Sequence, residues 1–154
     1  VGQFPNLLVT RTFSKAYGLA ALRIGYGVSQ APLADILNRV RQPFNVNSFA
    51  LAAARAALAD QDHLAASVRA NRDGMQQLVE GLRELQLDFI PSVGNFLAVD
   101  VRRDAGQVYE QLLREGVIVR PVENYGMPGY LRISIGLSEE NRRALEALER
   151  VLAL

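Results

Sequence analysis

The chain has 154 residues, 49% hydrophobic and 21% charged, and a net charge of +1; length and composition describe one soluble globular domain with enough material for a core. That charge balance gives no case for nucleic acid or an anionic membrane as partner. With no cysteine, disulfides and thiol catalysis are excluded and a reducing compartment is compatible, while no apolar stretch approaches transmembrane length and Val1–Pro5 is no signal peptide. In chain order, Leu7–Thr10 reads as a strand that feeds a turn carrying Ser14 and Lys15. A second strand follows at Ile24–Val28; both are near-continuous apolar runs, as strands covered on both faces tend to be. Pro32 opens a helix with Leu33, Ile36, Leu37 and Val40 on one face. The Pro/Asn-rich run Gln42–Ser48 is the best candidate domain boundary.

Beyond that break, Ser48–Leu58 predicts an Ala-rich helix, and Asp62–Leu85 predicts a longer one with Leu64, Val68, Met75, Leu78, Leu82 and Leu85 at helical spacing. Strands are predicted at Asp88–Ile90 and Phe96–Val101, around the turn Pro91–Gly94. Asp104 caps a helix that Gly116 stops. Val117–Val119 and Tyr130–Ile135 are two more expected strands, and Ser138, followed by Glu139 and Glu140, starts a last helix. The mix predicts an α/β protein whose second part is a small α+β sheet covered by helices. The chain starts almost directly on a strand-like run without an initiator Met, as a piece of something longer would.

One lysine, Lys15, stands against sixteen arginines. A lysine kept alone in such a background suggests a position where arginine cannot serve. The two differ most in nucleophilicity: a lysine amine can lose its proton and attack a carbonyl, and a guanidinium cannot. The plainer reading is a surface lysine that survived by drift, and the neighbours weigh against it. Ser14 precedes Lys15, and Arg23 follows eight residues later. A hydroxyl and a planar guanidinium could grip one phosphate while the amine reaches an aldehyde. Pyridoxal phosphate carries both groups on one ring. For Arg23 the plainer reading is a salt bridge at a strand end.

The run Thr12-Phe13-Ser14-Lys15-Ala16-Tyr17-Gly18 through Leu22-Arg23-Ile24-Gly25-Tyr26 resembles the cofactor-lysine segment of fold-type I aminotransferases, closest to the histidinol-phosphate aminotransferase branch. Pro43–Ser48 is similar to the family's link between its large and small domains, and Val93–Leu97 and Tyr130–Gly136 resemble two strands of its C-terminal domain. The resemblance runs nearly end to end. It implies the end of the large pyridoxal-phosphate-binding domain at 1–44 and a small C-terminal α+β domain at 45–154. It also implies that Lys15 binds the cofactor covalently and that Ser14 and Arg23 hold its phosphate. The implied activity is amino transfer between histidinol phosphate and 2-oxoglutarate in histidine biosynthesis, by a cytoplasmic homodimer acting on small molecules. An aromatic aminotransferase and a threonine-phosphate decarboxylase are the alternatives within the family, and a folded domain without turnover is the alternative outside it. The family's aspartate for the pyridine nitrogen and its stacking aromatic lie upstream of the lysine, so neither is assigned here.

Arg132 carries an argument of its own. In a strand over Tyr130–Ile135, Leu131, Ile133 and Ile135 share one face and leave Arg132 and Ser134 on the other. A lone charge between apolar residues needs a partner; the resemblance supplies a substrate carboxylate, and a salt bridge to a neighbouring Asp or Glu is the alternative. Arg120 ends the Val117–Val119 strand just before Pro121, and in the resembled branch the matching arginine contacts a substrate phosphate; a solvated strand-end arginine is the alternative. Asn95 is read as orienting Arg132, touching substrate, or shaping a turn. His63 reads as a solvated or capping residue, Gly25-x-Gly27 as a close-packing device rather than a dinucleotide loop, and Glu139–Glu140 as helix N-terminal charge. No cluster has metal-ligand spacing.

Overall fold

A computed structural model describes residues 1–153. The elements run β1 (Val9–Thr12), β2 (Gly25–Val28), α1 (Ala31–Val40), α2 (Ser48–Ala59), α3 (Gln61–Glu84), β3 (Phe89–Ile90), β4 (Phe96–Asp100), α4 (Ala105–Arg114), β5 (Arg120–Pro121), β6 (Tyr130–Ser134) and α5 (Ser138–Leu152). Packing divides the chain into two compact units, Val1–Val68 and Arg69–Leu154, with the division inside α3. No helix among the described residues is long and apolar enough to cross a membrane.

In the first unit β1 and β2 form an antiparallel pair, Val9 opposite Val28 and Thr12 opposite Gly25. The expected first strand is displaced toward the C-terminus, because Leu7 N–H is tied back to the Phe4 carbonyl in a turn. Gly25 is required where it stands: a Cβ there would lie 2.6 Å from the Arg11 carbonyl oxygen, too close for any side chain. The pair is not covered on both faces, which corrects the reading of its apolar runs; seven of its eight residues are exposed among the described residues. Burial is concentrated one residue beyond each strand, where Phe13 and Ile24 pack against Ala50 and Ala54 of α2. Small side chains on α2 let its backbone approach the hairpin end. Helix α2 starts where Asn47 Oδ1 accepts the Ala50 N–H at 2.8 Å, an N-cap that ends the Pro/Asn-rich run.

The second unit is a four-stranded antiparallel sheet in the order β3-β4-β6-β5. One face carries Leu97, Val99, Leu131 and Ile133, which pack with Leu78 and Leu82 of α3, Val108 and Leu112 of α4, and Leu148 and Leu152 of α5. Asp104 caps α4 as expected, its Oδ1 accepting the Gln107 N–H at 2.8 Å. The strand expected at Val117–Val119 forms instead at Arg120–Pro121. The cause is the end of α4. Gly116, at φ +75°, donates to Leu113 O and Val117 donates to Leu112 O at 2.8 Å, so the chain is still bound to the helix where the strand should begin.

Asn141 is the buried polar residue of this unit, 2% exposed. Its Oδ1 accepts the Gly136 N–H at 2.9 Å, and its Nδ2 lies within reach of Gly74 O, Gln77 Oε1 and Gly136 O. One amide thus ties the exit of β6 to α3 and α5. The close approach needs glycine at 74, where a Cβ would stand 2.7 Å from Ile135 Cγ2 and 3.0 Å from the Gly136 carbonyl oxygen. Asn141→Leu keeps the volume but strands the Gly136 N–H in the interior. Urea denaturation is expected to show a loss of about 1–3 kcal/mol in unfolding free energy, and an unchanged midpoint would contradict the locking role.

Candidate functional site

The sequence-predicted residues fall into two groups, one in each unit. The first lies in the loop that joins β1 to β2. Phe13 N–H donates to Ile24 O at 3.2 Å, one step past the strands, and the Phe13 carbonyl then accepts the Leu19 N–H at 2.9 Å, so the ladder ends there and Ser14 and Arg23 lie just beyond it on the two arms of the loop. Eight residues separate the two in sequence. Ser14 N–H is held by Thr12 Oγ1 at 3.0 Å, and Lys15 enters a tight turn closed by the Gly18 N–H on Lys15 O at 2.8 Å. Gly18 has φ +70°, a conformation that favours glycine.

Arg23 follows the short helical turn Ala20–Leu22 in the left-handed region, φ 52°, a costly place for an arginine. Its Nη1 donates to Ala20 O at 2.8 Å, and no carboxylate pairs with it among the described residues. The guanidinium therefore keeps donors free for an anion. The Lys15 side chain is exposed and forms no ion pair among the described residues. Beneath the turn, the Phe13 ring is flanked by Tyr17 at 4.9 Å and Tyr26 at 5.7 Å between centroids.

The second group lies on the sheet face away from the helices. The alternation of β6 is as read from the sequence: Leu131 and Ile133 are buried, and Arg132 and Ser134 take the other face. Arg120 stands directly opposite Arg132 across β5–β6, so two cations share one face of adjacent strands. Arg132 leans over the ring of Phe96, its Cζ 5.3 Å from the centroid. Phe96 sits on β4 on the far side of β6 from β5, so this lean carries the guanidinium away from Arg120. Arg132 Nε is buried without a hydrogen-bond partner, and neither arginine meets a carboxylate among the described residues. The salt-bridge reading of Arg132 thus finds no partner. An orphaned guanidinium nitrogen is costly to bury and is a natural receptor for an anion.

Arg120 belongs to β5 itself rather than to the end of an earlier strand. Asn95 supports the sheet through its backbone, its carbonyl accepting the Ile135 N–H at 2.9 Å, and its side chain makes no hydrogen bond to Arg132. His63 is exposed in the first turn of α3, where Asp60 Oδ1 accepts its N–H at 2.9 Å. Phe96 as a platform for Arg132 and the Tyr17–Phe13–Tyr26 stack were not legible as site features. Their partners are set by strand pairing, and an isolated aromatic carries no mark of it.

The family described as Aminotransferase class I and II matches residues 1–148. The chain belongs to it. Among similar proteins, histidinol-phosphate aminotransferase 2 of Pseudomonas fluorescens is 69% identical over 97% of the chain and 40% of the relative. The protein of the same name from Pseudomonas aeruginosa is 67% identical over 99% and 42%. The chain thus spans about two fifths of the length of these relatives. Among solved structures, histidinol-phosphate aminotransferase from Sinorhizobium meliloti in complex with pyridoxal-5'-phosphate is 34% identical with a TM-score of 0.86 over 97% of this chain and 42% of that one. A Thermus thermophilus aspartate aminotransferase double mutant is 31% identical with a TM-score of 0.79 over 96% and 41%. The chain therefore has the fold of the corresponding part of fold-type I aminotransferases.

Like charges placed directly opposite across strands oppose pairing. Replacing Arg120 by Gln should therefore stabilise the second unit at low salt by about 0.2–1 kcal/mol, and the gain should shrink as salt screens the pair. A thermal melt of Arg120→Gln at two ionic strengths checks this. Equal melting temperatures of variant and wild type at low salt would show that the two charges do not interact.

Proposed function

We propose that the chain is the C-terminal part of a pyridoxal-phosphate-dependent transaminase that exchanges an amino group between histidinol phosphate and 2-oxoglutarate. The single observation that carries the cofactor reading is that Arg23 meets no carboxylate among the described residues and lies one residue beyond the Phe13–Ile24 hydrogen bond, as Ser14 does on the arm that carries the chain's only lysine. That donor set suits a ligand with one phosphate and one aldehyde. The names of the relatives and the bound cofactor of the Sinorhizobium protein support it. On this reading residues 1–44 close a large cofactor domain and residues 45–154 form the small one. The assembled enzyme acts as a cytoplasmic homodimer on small molecules, without nucleic acid or membrane.

The cofactor supplies an aldehyde for an amine and an electron sink for the substrate's α-carbon. Ser14 and Arg23 would hold its phosphate by charge-assisted hydrogen bonds. Lys15 provides the amine and, when that amine is free, carries a proton to and from the α-carbon. Arg132 binds the α-carboxylate of glutamate and 2-oxoglutarate through the guanidinium that Phe96 supports. Arg120, opposite it, offers a second anion site suited to a phosphate-bearing substrate, and Asn95 borders this group from the start of β4.

Lys15→Arg in the full-length enzyme keeps the charge and removes the nucleophile, so transamination should vanish with the fold retained; activity within about tenfold of wild type would defeat the assignment. Arg132→Ala should raise KM for glutamate and 2-oxoglutarate by about ten- to a hundredfold, the loss of one charge-assisted contact. Arg120→Ala should impair turnover of histidinol phosphate far more than that of glutamate in half-reaction measurements. Equal damage to both would argue against a phosphate-bearing substrate and favour another branch of the family.

A further inference from the structure

We infer that Glu115 is a positioning residue for Arg120: held by two arginines of α5, it selects the register that sets Arg120 opposite Arg132. This deepens the reading of Arg120 given above and rests on it. Strand β5 specifies its own register weakly. It has two residues, one of them a proline without an N–H, and is continued by the Val122 N–H on Tyr130 O at 3.3 Å. The run before it offers a rival. A slip of two residues would set Ile118 opposite Arg132 and Val119 opposite Leu131. Because side chains repeat every two residues along a strand, Val117 would then take the buried place of Val119. The slip would also separate the two facing cations, with an isoleucine opposite Arg132 in place of an arginine. Charge thus favours the slipped register, and the valines do not oppose it. In the register observed, Val117, Ile118 and Val119 line a cleft against Ile133, Ser134 and Ile135 without pairing, and Ile118 is 84% exposed.

What opposes the slip lies at the end of α4. Advancing β5 by two residues, roughly 7 Å, would draw Glu115 and Gly116 off the helix end. Both are held there. Glu115 N–H donates to Gln111 O at 3.2 Å, and Gly116 N–H donates to Leu113 O at 3.0 Å. From α5, Arg150 donates to Glu115 Oε2 through Nε at 3.2 Å and Nη2 at 2.9 Å. Arg143 Nη2 donates to the Glu115 carbonyl at 3.1 Å. The Arg143 guanidinium also covers Gly116 so closely that a Cβ at 116 would collide with it. The carboxylate and the carbonyl of one residue are thus fixed to a second helix, five residues before Arg120. An exposed ion pair adds little to overall stability. Little is needed to choose between two registers that bury the same face.

In the 154-residue chain, Glu115→Gln is expected to speed exchange of the Val122 amide by about two- to fivefold, the loss of one exposed ion pair. The Ile135 amide, bonded to Asn95 O on the other edge of β6, should keep its rate. Arg150→Gln should give the same change, and the double variant no more than either, because each removes the same contact. In the full-length enzyme, Glu115→Gln should raise KM for histidinol phosphate by about two- to fivefold, as the register that presents Arg120 loses population. KM for glutamate, which Arg132 binds, and kcat should stay at wild-type values. The inference is overturned if Val122 exchange is unchanged, or if Ile135 exchange rises equally. It is also overturned if KM for histidinol phosphate is unchanged or rises together with that for glutamate, since a general loosening of the sheet would move both. The transaminase reading fails on a different result, the absence of histidinol phosphate turnover by the unaltered full-length enzyme, and the exchange measurement does not depend on it.

Discussion

Strand β6 is hydrogen-bonded on both edges, and its two-residue alternation separates a dry face from a charged one. Leu131 and Ile133 can be buried under three helices only if Arg132 points the other way, because a strand has no third direction to offer. The cost of that arrangement falls on the guanidinium. Its Nε loses water without gaining a protein acceptor, and the facing residue on β5 is a second arginine. Phe96 offsets part of this through its ring face. What remains is a buried guanidinium nitrogen without a partner among the described residues. Packing on one side of the sheet and the placement of two cations on the other are thus the same constraint.

The hairpin of the first unit uses register for a comparable purpose. Antiparallel pairing returns the chain to its starting point, so residues far apart in sequence can face one another without a long-range core. Phe13 and Ile24 are bonded and buried, and Ser14 and Arg23 each follow directly on that anchored pair. The turn between them is bent tightly by a left-handed glycine and a left-handed arginine. The strain at Arg23 falls next to the buried Phe13–Ile24 pair, which supplies the support.

Glycine and asparagine do the close fitting of the second unit. Gly74 lets α3 approach the end of β6, and Asn141 fills the polar gap that this approach leaves. A larger residue at 74 would push the helix off the sheet, and an apolar one at 141 would leave backbone groups dry and unpaired. The direction in which β6 ends, two residues beyond Arg132, is therefore set by a hydrogen-bonded amide rather than by apolar packing alone.

Much of this was legible in the chain itself. Local signals placed the cap Asp104 at its helix, stopped α4 at Gly116, and set Leu131 and Ile133 opposite Arg132, because capping, left-handed glycine and strand alternation act over a few residues. The singular lysine and the spacing from Ser14 to Arg23 were equally plain, since composition and order need no coordinates. Which strand faces which was not legible. Val117–Val119 has the composition of a strand, yet the hydrogen bonds ending α4 hold its first residue and move the pairing to Arg120. That one shift puts Arg120 opposite Arg132. Likewise the ring under Arg132 comes from a residue 36 positions away. The sequence by itself determined the elements, their caps and the chemistry on offer. Only the tertiary structure decided which of those groups meet, because pairing register and the free energy of burying one face are properties of the whole packed unit.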